Sequence, residues 1–483
     1  MVINQQNDAQ FIVLQPFFEA HQTFLGLSII GKAAQKGLVE FNLVKFSDFV
    51  LPKERIDEPT CGPGAGMIIK PEVVEKAIAA CEEKWGPGYR IFFSPQGKRL
   101  NQRLVRELAE KLISRSYGSR HSAEGLVPHH ERLSTAAHPE EHAVSMRLEG
   151  HERAHLILVC PRYEGMDERV QGHYADLVVS IGDYVVMGGD LPAQVFLEGL
   201  LRFLPGVVGD PISVQEDSFS GPFLDHPEYG LPVEWKGMVI PEIVRSGNHA
   251  AINEWRLRQA AEKTVLNRFD WLRTSSLSDK EKALVAQHIP PHYIALMHAQ
   301  VKIRDGTIGT TSIVSIDLHD TARSSATYGV KNFFMVCPLT DQQAIMQTFF
   351  DFWLSETGKK YNPSRYAAVS KVRPAQSLQE VIEKITELEG QKPLLIITSA
   401  QQHEHAHKID YTCQGTVWQH KRPVLLIFGT GQGLADEVIE QGDYLLTPVG
   451  GLTDYNHLSV RSAIAIVLDR WLGLAQEAKN SQK

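Results

Sequence analysis

The stretch SIGDYVVMGGDLPAQVFLEGLLRFLPGVVGDPISVQEDSFSGPFLD, Ser180 to Asp225, decides how the chain is read. It opens from an apolar run, LVVS into IGDYVV, short enough to be a buried strand. Gly188 and Gly189 follow, where missing β-carbons allow positive φ and let a ligand lie against the backbone. Leu191 to Phe203 has helical apolar spacing and ends near Pro205-Gly206, an ordinary helix stop. An acidic loop, Glu216-Asp217-Ser218-Phe219, comes next. Strand, tight glycine turn, helix and returning carboxylate is one way for an α/β enzyme to hold a cofactor beside a base. The pattern alone names no reaction, because fold does not fix function.

The literal residues say more. IGDYVVMGGDLPA, RFLPGVVG, EDSF and LDHPEY occur in that order. Together they resemble the blocks of the TrmD family, the bacterial tRNA (guanine-N1-)-methyltransferases. The resemblance implies a SPOUT-type α/β fold whose parallel sheet carries a deep trefoil knot around S-adenosylmethionine. Knots are exceptions to ordinary topology, so only the resemblance licenses one here. It also implies methylation of N1 of the guanosine just 3′ of the anticodon in tRNA. A homodimer is implied too, in which the partner chain supplies the base-bearing loop.

At 483 residues the chain exceeds what one core organises, so two or three domains are expected. Apolar content of 43% and charge of 22% are ordinary for globular proteins. A net charge of −8 makes the whole molecule no polyanion magnet, so an RNA site must be a local basic patch. The cysteines Cys61, Cys81, Cys160, Cys337 and Cys413 are odd in number, widely spaced and without CxxC, which fits a reducing cytoplasm. No charged-then-apolar leader and no run approaching about eighteen apolar residues is present, so neither secretion nor membrane spanning is expected.

Before the central stretch, FIVLQPF (11–17) reads as a first buried strand. IDEPTCGPGAGM (56–67) is similar to the family's glycine-rich, substrate-facing loop: Gly62, Gly64, Gly66 and Met67 match, but Pro59-Thr60-Cys61 stands where the family has Arg-Pro-Tyr. SPQG (94–97) reads as the turn after a strand and matches the family, which places Pro95 and Gly97 on the cofactor wall by resemblance. Residues 113–154 form a stretch of about forty that the family lacks, rich in His, Ser, Glu and Gly. Its histidine spacing resembles no zinc site, and it reads as a disordered surface insertion. LILVCPRYEGMDERV (156–170) is strand plus turn; Tyr163, Glu164 and Gly165 match the family's cofactor turn, while Pro161 replaces a glycine. That proline removes a backbone donor and fixes φ near about −65°.

After the central stretch, SGNHAAINEWRLRQ opens a helical region (246–274) that resembles the family's tRNA-binding helix. Arg256, Arg258, Lys263, Arg268 and Arg273 would make one side of it basic, either as a solvated face or as a phosphate contact. Residues 275–291 read as a linker, and a second α/β domain is expected over 292–475. GDYVVMGG (182–189) is echoed by GDYLLTPVGG (442–451), which suggests two copies of one architecture. The second half resembles SPOUT ribose 2′-O-methyltransferases. DLHDTARSSATYGV (317–330) is similar to their first motif, with Arg323 and Gly329 in place and Asp317 in an Asn position. LLIFGTGQGL, with Gly429, Gly431 and Gly433, resembles the second motif, and TPVGGLTDYNHLSVRSAIAI, with Asn456 and Ser459, the third. By resemblance these five, with Arg323, are the expected cofactor and catalytic residues there. HEHAH (403–407) reads as a solvated loop before a buried strand rather than a metal site.

Guanine N1 bears a proton, so methylating it needs a base at N1, a cation or donor at O6 and in-line placement. By resemblance Asp217 is the base, Arg202 stabilises O6, Asp225 orients the guanine and Glu164 aids transfer. Cofactor contacts are expected from Pro95, Gly97, Tyr163, Gly165, Ile181, Tyr184, Gly188, Gly189 and Leu191. The family depends on magnesium, a hard cation that carboxylates near the methionine end could hold; no metal ligand is assigned. A lone Asp217 is otherwise an ordinary turn carboxylate. Two other readings stand beside the enzyme: a C-terminal half that only binds RNA or builds a dimer, and a non-catalytic RNA-binding chain throughout.

Overall fold

The computed structural model describes residues 9–16, 18–63, 66–116, 155–404 and 407–475. Most of the His-rich insertion, together with Gly64 and His405, lies outside the described residues. The chain forms two compact units, Met1–Ser220 and Gly221–Lys483.

The first unit contains strands β1 (Ala9–Gln15), β2 (Val39–Lys45), β3 (Asp57–Pro59), β4 (Met67–Ile69), β5 (Tyr89–Arg99), β6 (His155–Val159) and β7 (Leu177–Ser180). Its helices include α1 (Phe18–Leu25), α2 (Ser28–Gln35), α3 (Pro71–Trp85), α4 (Gln102–Ser116), α5 (Glu168–Tyr174) and α6 (Asp190–Leu201). β3 and β4 make a hairpin; the other five strands pair in parallel in the order β2-β1-β6-β5-β7. A parallel sheet is covered on both faces, so its strands are continuously apolar. Phe11 and Val13 join the cluster built with α4 and α6, whereas Ile12 and Leu14 join the one built with α3. That is the period-two alternation of a strand. Phe196, Leu197 and Leu200 of α6 are fully buried, each stabilising by roughly 1.5–3 kcal/mol.

Three local expectations change. The strand before the glycines ends at Ser180, so residues 181–189 are a loop. SPQG is not a turn: β5 runs on through it, with a register shift between Phe93 and Lys98 as it passes β7. Gly188 and Gly189 do not have positive φ; Gly189 sits at −75°.

The second unit begins with a small hairpin, β8 (Glu234–Trp235) and β9 (Met238–Val239), and the helix His249–Asn267. Asn248 caps that helix by accepting from the Ala251 N–H at 3.2 Å. The helix buries Ala260, Ala261, Thr264 and Val265, and its apolar side joins the core that also holds Val417 and Trp418. Residues 275–291, expected as a linker, contain the helix Asp279–His288. A reciprocal Ser278–Glu281 capping box starts it, and Leu277 and Val285 are fully buried.

The main sheet of this unit uses β10 (His292–Met297), β13 (Asn332–Val336), β14 (Val372–Ala375), β15 (Leu394–Thr398), β16 (Lys408–Ile409), β17 (Val424–Gly429) and β18 (Tyr444–Leu446), beside a hairpin of β11 (Ala299–Lys302) and β12 (Ile308–Thr310). Its order is β14-β13-β10-β17-β15-β18-β16, all parallel. Remove the edge strands β14 and β16, and the remaining order matches the first unit strand for strand: β13, β10, β17, β15, β18 against β2, β1, β6, β5, β7. The two halves are copies of one α/β architecture.

The echo in sequence, however, was matched to the wrong segment. The Asp443 N–H donates to Leu395 O of β15, and its carboxylate accepts from the Leu395 N–H at 2.8 Å. Asp176 does the same to Arg90 of β5, at 2.9 Å. The partner of GDYLLT is therefore ADLVVS (175–180), one strand earlier than GDYVVMGG.

Candidate cofactor and active site

In parallel α/β sheets ligands bind beyond the carboxyl ends of the strands. In the first unit the segments there come from β5, β6 and β7, and they enclose a cavity of about 320 Å³. Of the expected cofactor residues, Pro95, Tyr163, Gly165, Ile181, Tyr184, Gly188 and Gly189 line it, as does Glu164. Gly97 and Leu191 do not. A β-carbon on Gly97 would lie 2.6 Å from the Val178–Val179 backbone, so this glycine lets β5 press against β7. Leu191 is exposed on the first turn of α6. Ser94, Gln96 and Glu168, from motifs already singled out, also line the cavity, and with Gln171 they add the polar part of the wall.

The glycine pair is explained by close approach. A β-carbon on Gly189 would meet Pro161 Cδ at 2.4 Å and Cys160 Cα at 2.9 Å; one on Gly188 would meet Arg162 Cδ at 2.5 Å. Pro161 keeps its place in this seam through its carbonyl, which accepts from the Gly189 N–H at 2.6 Å. Beyond it the chain reverses tightly. Tyr163 has φ of 60° and Gly165 of 120°, and the Gly165 N–H donates to Arg162 O at 2.9 Å. A non-glycine residue held at positive φ stores strain of the kind found at binding turns. The glycine-rich hairpin closes on this turn: Glu164 N–H donates to Met67 O at 3.0 Å and Ile69 N–H to Gly165 O at 3.1 Å. A β-carbon on Gly66 would sit 2.4 Å from Glu164 Cγ, so this loop needs its glycine against that carboxylate's stem. Within the hairpin, the Arg55 guanidinium holds the Asp57 carboxyl below its usual range.

Arg202 and Asp217 meet. The guanidinium, just past the end of α6, donates to an Asp217 carboxylate oxygen, and both side chains remain partly exposed. Neither lines the cavity. Asp225 belongs to the second unit, where Lys263 Nζ donates to it at 3.0 Å. The basic side expected of the helical region is largely neutralised: Arg258 pairs with Glu254, Arg268 with Asp270 and Arg256 with Glu228 at 3.7 Å, while Arg273 donates to the Arg470 carbonyl.

In the second unit, the loops after β15, β17 and β18 occupy the positions of the first unit's three cavity segments. Gly431 and Gly433 have φ of 63° and 110°, and a β-carbon on Gly431 would lie 2.6 Å from Lys302 O. A β-carbon on Gly429 would be 2.7 Å from Leu434 N. Asn456 ties the loop after β18 to that after β15, donating to Ala400 O at 2.9 Å. Ser459 caps the helix Val460–Leu472. Arg323 is exposed on the helix Ser315–Thr327. Asp317, in the Asn position, is buried and paired with Arg461 at 3.1 Å; the extra negative charge has a local partner. His403 meets Ser399 at 3.0 Å.

A model described as "tRNA (Guanine-1)-methyltransferase TrmD" matches residues 9–114 and 133–274, and one described as "SAM-dependent RNA methyltransferase" matches 291–473. The tRNA (guanine-N(1)-)-methyltransferase of Nitratidesulfovibrio vulgaris is 32% identical, the match covering 95% of this chain and 98% of that protein. The enzyme of the same name from Bacillus subtilis is 33% identical over 57% of this chain and 97% of its own length. The crystal structure of the tRNA (m1G37) methyltransferase from Aquifex aeolicus is similar at 28% identity and a TM-score of 0.38, covering 54% of this chain and 94% of that one. With two parallel sheets of one strand order, and a match running almost end to end of both sequences, the chain belongs to the TrmD family of tRNA (guanine-1)-methyltransferases.

Proposed function

We propose that the chain methylates N1 of guanine in tRNA, at the guanosine just 3′ of the anticodon, with S-adenosylmethionine as methyl donor. The observation that carries this reading is the convergence of three segments, each resembling a TrmD block, on one cavity. Its walls suit an adenosine: Pro95, Ile181, Tyr184 and Val185 offer flat apolar surface, and the backbone at Gly165, Gly188 and Gly189 can be approached closely. When bound, the sulfonium supplies the electrophilic methyl. The chain supplies the rest. Asp217 takes the N1 proton, and Arg202 meets the negative charge that develops at O6. These two side chains neutralise each other; a guanine edge would take both, offering N1–H to the carboxylate and O6 to the guanidinium. Asp225 would orient the base. Glu164 and Glu168 are the carboxylates on the cavity wall that would hold Mg2+.

A homodimer belongs to the same reading. Tyr184, Val185, Met187, Leu191 and Val195 expose apolar surface along one loop and helix, a patch that a second copy would cover. Sedimentation at twice the chain mass is expected; a monomer would remove that part. The trefoil knot and a cytoplasmic setting, which suits five free cysteines, complete the proposal. The second unit is proposed as a further cofactor-binding RNA methyltransferase, from its matching topology and glycine turns. The test is methylation of an unmodified tRNA transcript followed by nucleoside mass spectrometry. N1-methylguanosine is expected; no methylated base, or methyl only on ribose, would overturn the first-unit assignment.

A further inference from the structure

Behind the cavity wall lies a second polar cluster that methyl transfer does not use. Cys160 follows β6 immediately before Pro161, Asp190 opens α6 immediately after Gly189, and His21 lies on α1. All three are buried, at 0%, 6% and 0% exposure. Their donor atoms, one per residue, lie within 4.8 Å of one another. His21 Nε2 is 3.1 Å from Asp190 Oδ1, close to the roughly 3.3 Å edge of a tetrahedron with metal bonds near 2.0 Å. Gln15, fully buried, is next in register to Cys160: Leu14 pairs with Val159, and the Cys160 N–H donates to Leu14 O. By strand alternation it shares the sheet face of Phe11 and Val13, which is that of Cys160.

Four buried polar atoms in this cluster have no hydrogen-bond partner: both amide atoms of Gln15, His21 Nδ1 and Asp190 Oδ2. Buried polar groups are almost always satisfied, so such a concentration points to a ligand that joins them. The corresponding positions in the second unit, His298 and Thr430, are joined instead through Thr311, with bonds of 3.1 and 2.5 Å. Among the described residues, it is the first unit's cluster that combines nitrogen, thiol and carboxylate. We propose that His21, Cys160 and Asp190 bind a divalent transition metal, zinc by donor type, as a structural site that clamps both cofactor-wall segments to α1. N, S and O donors are a zinc set. Binding sends the thiol proton to solvent, and Arg162, 3.8 Å from Asp190 Oδ2, holds the carboxylate's other oxygen as an outer partner.

The full chain, purified without chelator, should carry one zinc by elemental mass spectrometry. Cobalt added to stripped protein should give a thiolate-to-cobalt absorption band that Cys160→Ser removes and Cys61→Ser keeps. Should Cys160→Ser fail to fold, a chain with both Cys61→Ser and Cys413→Ser must still show the band, since these two are the cysteines that reach solvent. A metal-free chain whose cobalt form lacks the band, or a band indifferent to Cys160→Ser, would reduce the cluster to ordered water and overturn the proposal.

Discussion

Asp217 is where the reaction reading is most exposed to test. It is placed by its EDSF motif, and its one strong partner is Arg202, the residue assigned to O6. Asp217→Asn keeps shape and loses the base, so methyl transfer should fall about 10²–10⁴-fold while calorimetric binding of S-adenosylmethionine stays within a few-fold. Turnover near the unchanged chain's would take Asp217 out of the mechanism. Gly189 makes a different demand. Its sequence suggests positive φ, whereas its φ is −75° and the constraint is the neighbouring Cys160–Pro161 segment. Gly189→Ala places a methyl 2.4 Å from Pro161 Cδ and 2.8 Å from its nitrogen. The seam must open, at a cost of about 1–3 kcal/mol in stability, with cofactor affinity down at least about tenfold. An alanine variant with unchanged melting and binding would mean the seam is slack. Sequence shows that a position has no side chain; only packing shows why.

Elements were legible where periodicity is simple and illegible where tertiary contacts decide. The buried strands of both sheets stand out as apolar runs, and the helix after Gly189 was placed within two residues of its ends. The echo between the halves was real but seven residues out of step, because GDY precedes one strand and follows the other. The supposed linker shows only a capping box in sequence; its burial depends on a core assembled far away. That core has a consequence for pH. His292 donates from Nδ1 to Pro290 O at 2.7 Å, and its Nε2 accepts from the indoles of Trp418 and Trp471 at 3.3 and 3.0 Å. Indoles only donate, so the ring must be neutral. Burial pulls His292 and His298 from 6.5 down to about 4. Between those values the unfolded chain binds more protons, so stability is full above about 6.5 and falls as pH drops toward 4, by roughly 2 kcal/mol per histidine at pH 5. Urea midpoints for the second unit should therefore decline between pH 6.5 and 5, where carboxylates scarcely titrate. A flat profile over that window would contradict the buried neutral rings.

For the whole molecule the decisive fact is that one strand order occurs twice. Composition and motif order made two related domains readable, but not their boundary: the helical region after the first domain shares the second unit's core rather than forming a tail of its own. Nor could sequence unite His21, Cys160 and Asp190, which are separated by more than a hundred residues at the widest and share no motif. On the proposed function, the duplicated fold carries two cofactor sites per chain. In the second unit the turn after β17 holds Gly431 at φ of 63°, with Lys302 O where a β-carbon would go. Asn456 meanwhile fastens two of the three loops expected around the ligand. Structural turns would account for the glycines alone. They would not account for two corresponding strand ends, those after β17 and β18 as those after β6 and β7, carrying them in both units. Titrating the full chain with S-adenosylmethionine should give two sites, and Gly431→Val, strained in backbone and blocked by a carbonyl, should leave one. Gly189→Ala should weaken the other independently. A single site in the unchanged chain, still present in Gly431→Val and weakened by Gly189→Ala, would make the second unit a scaffold that kept the fold and lost the ligand.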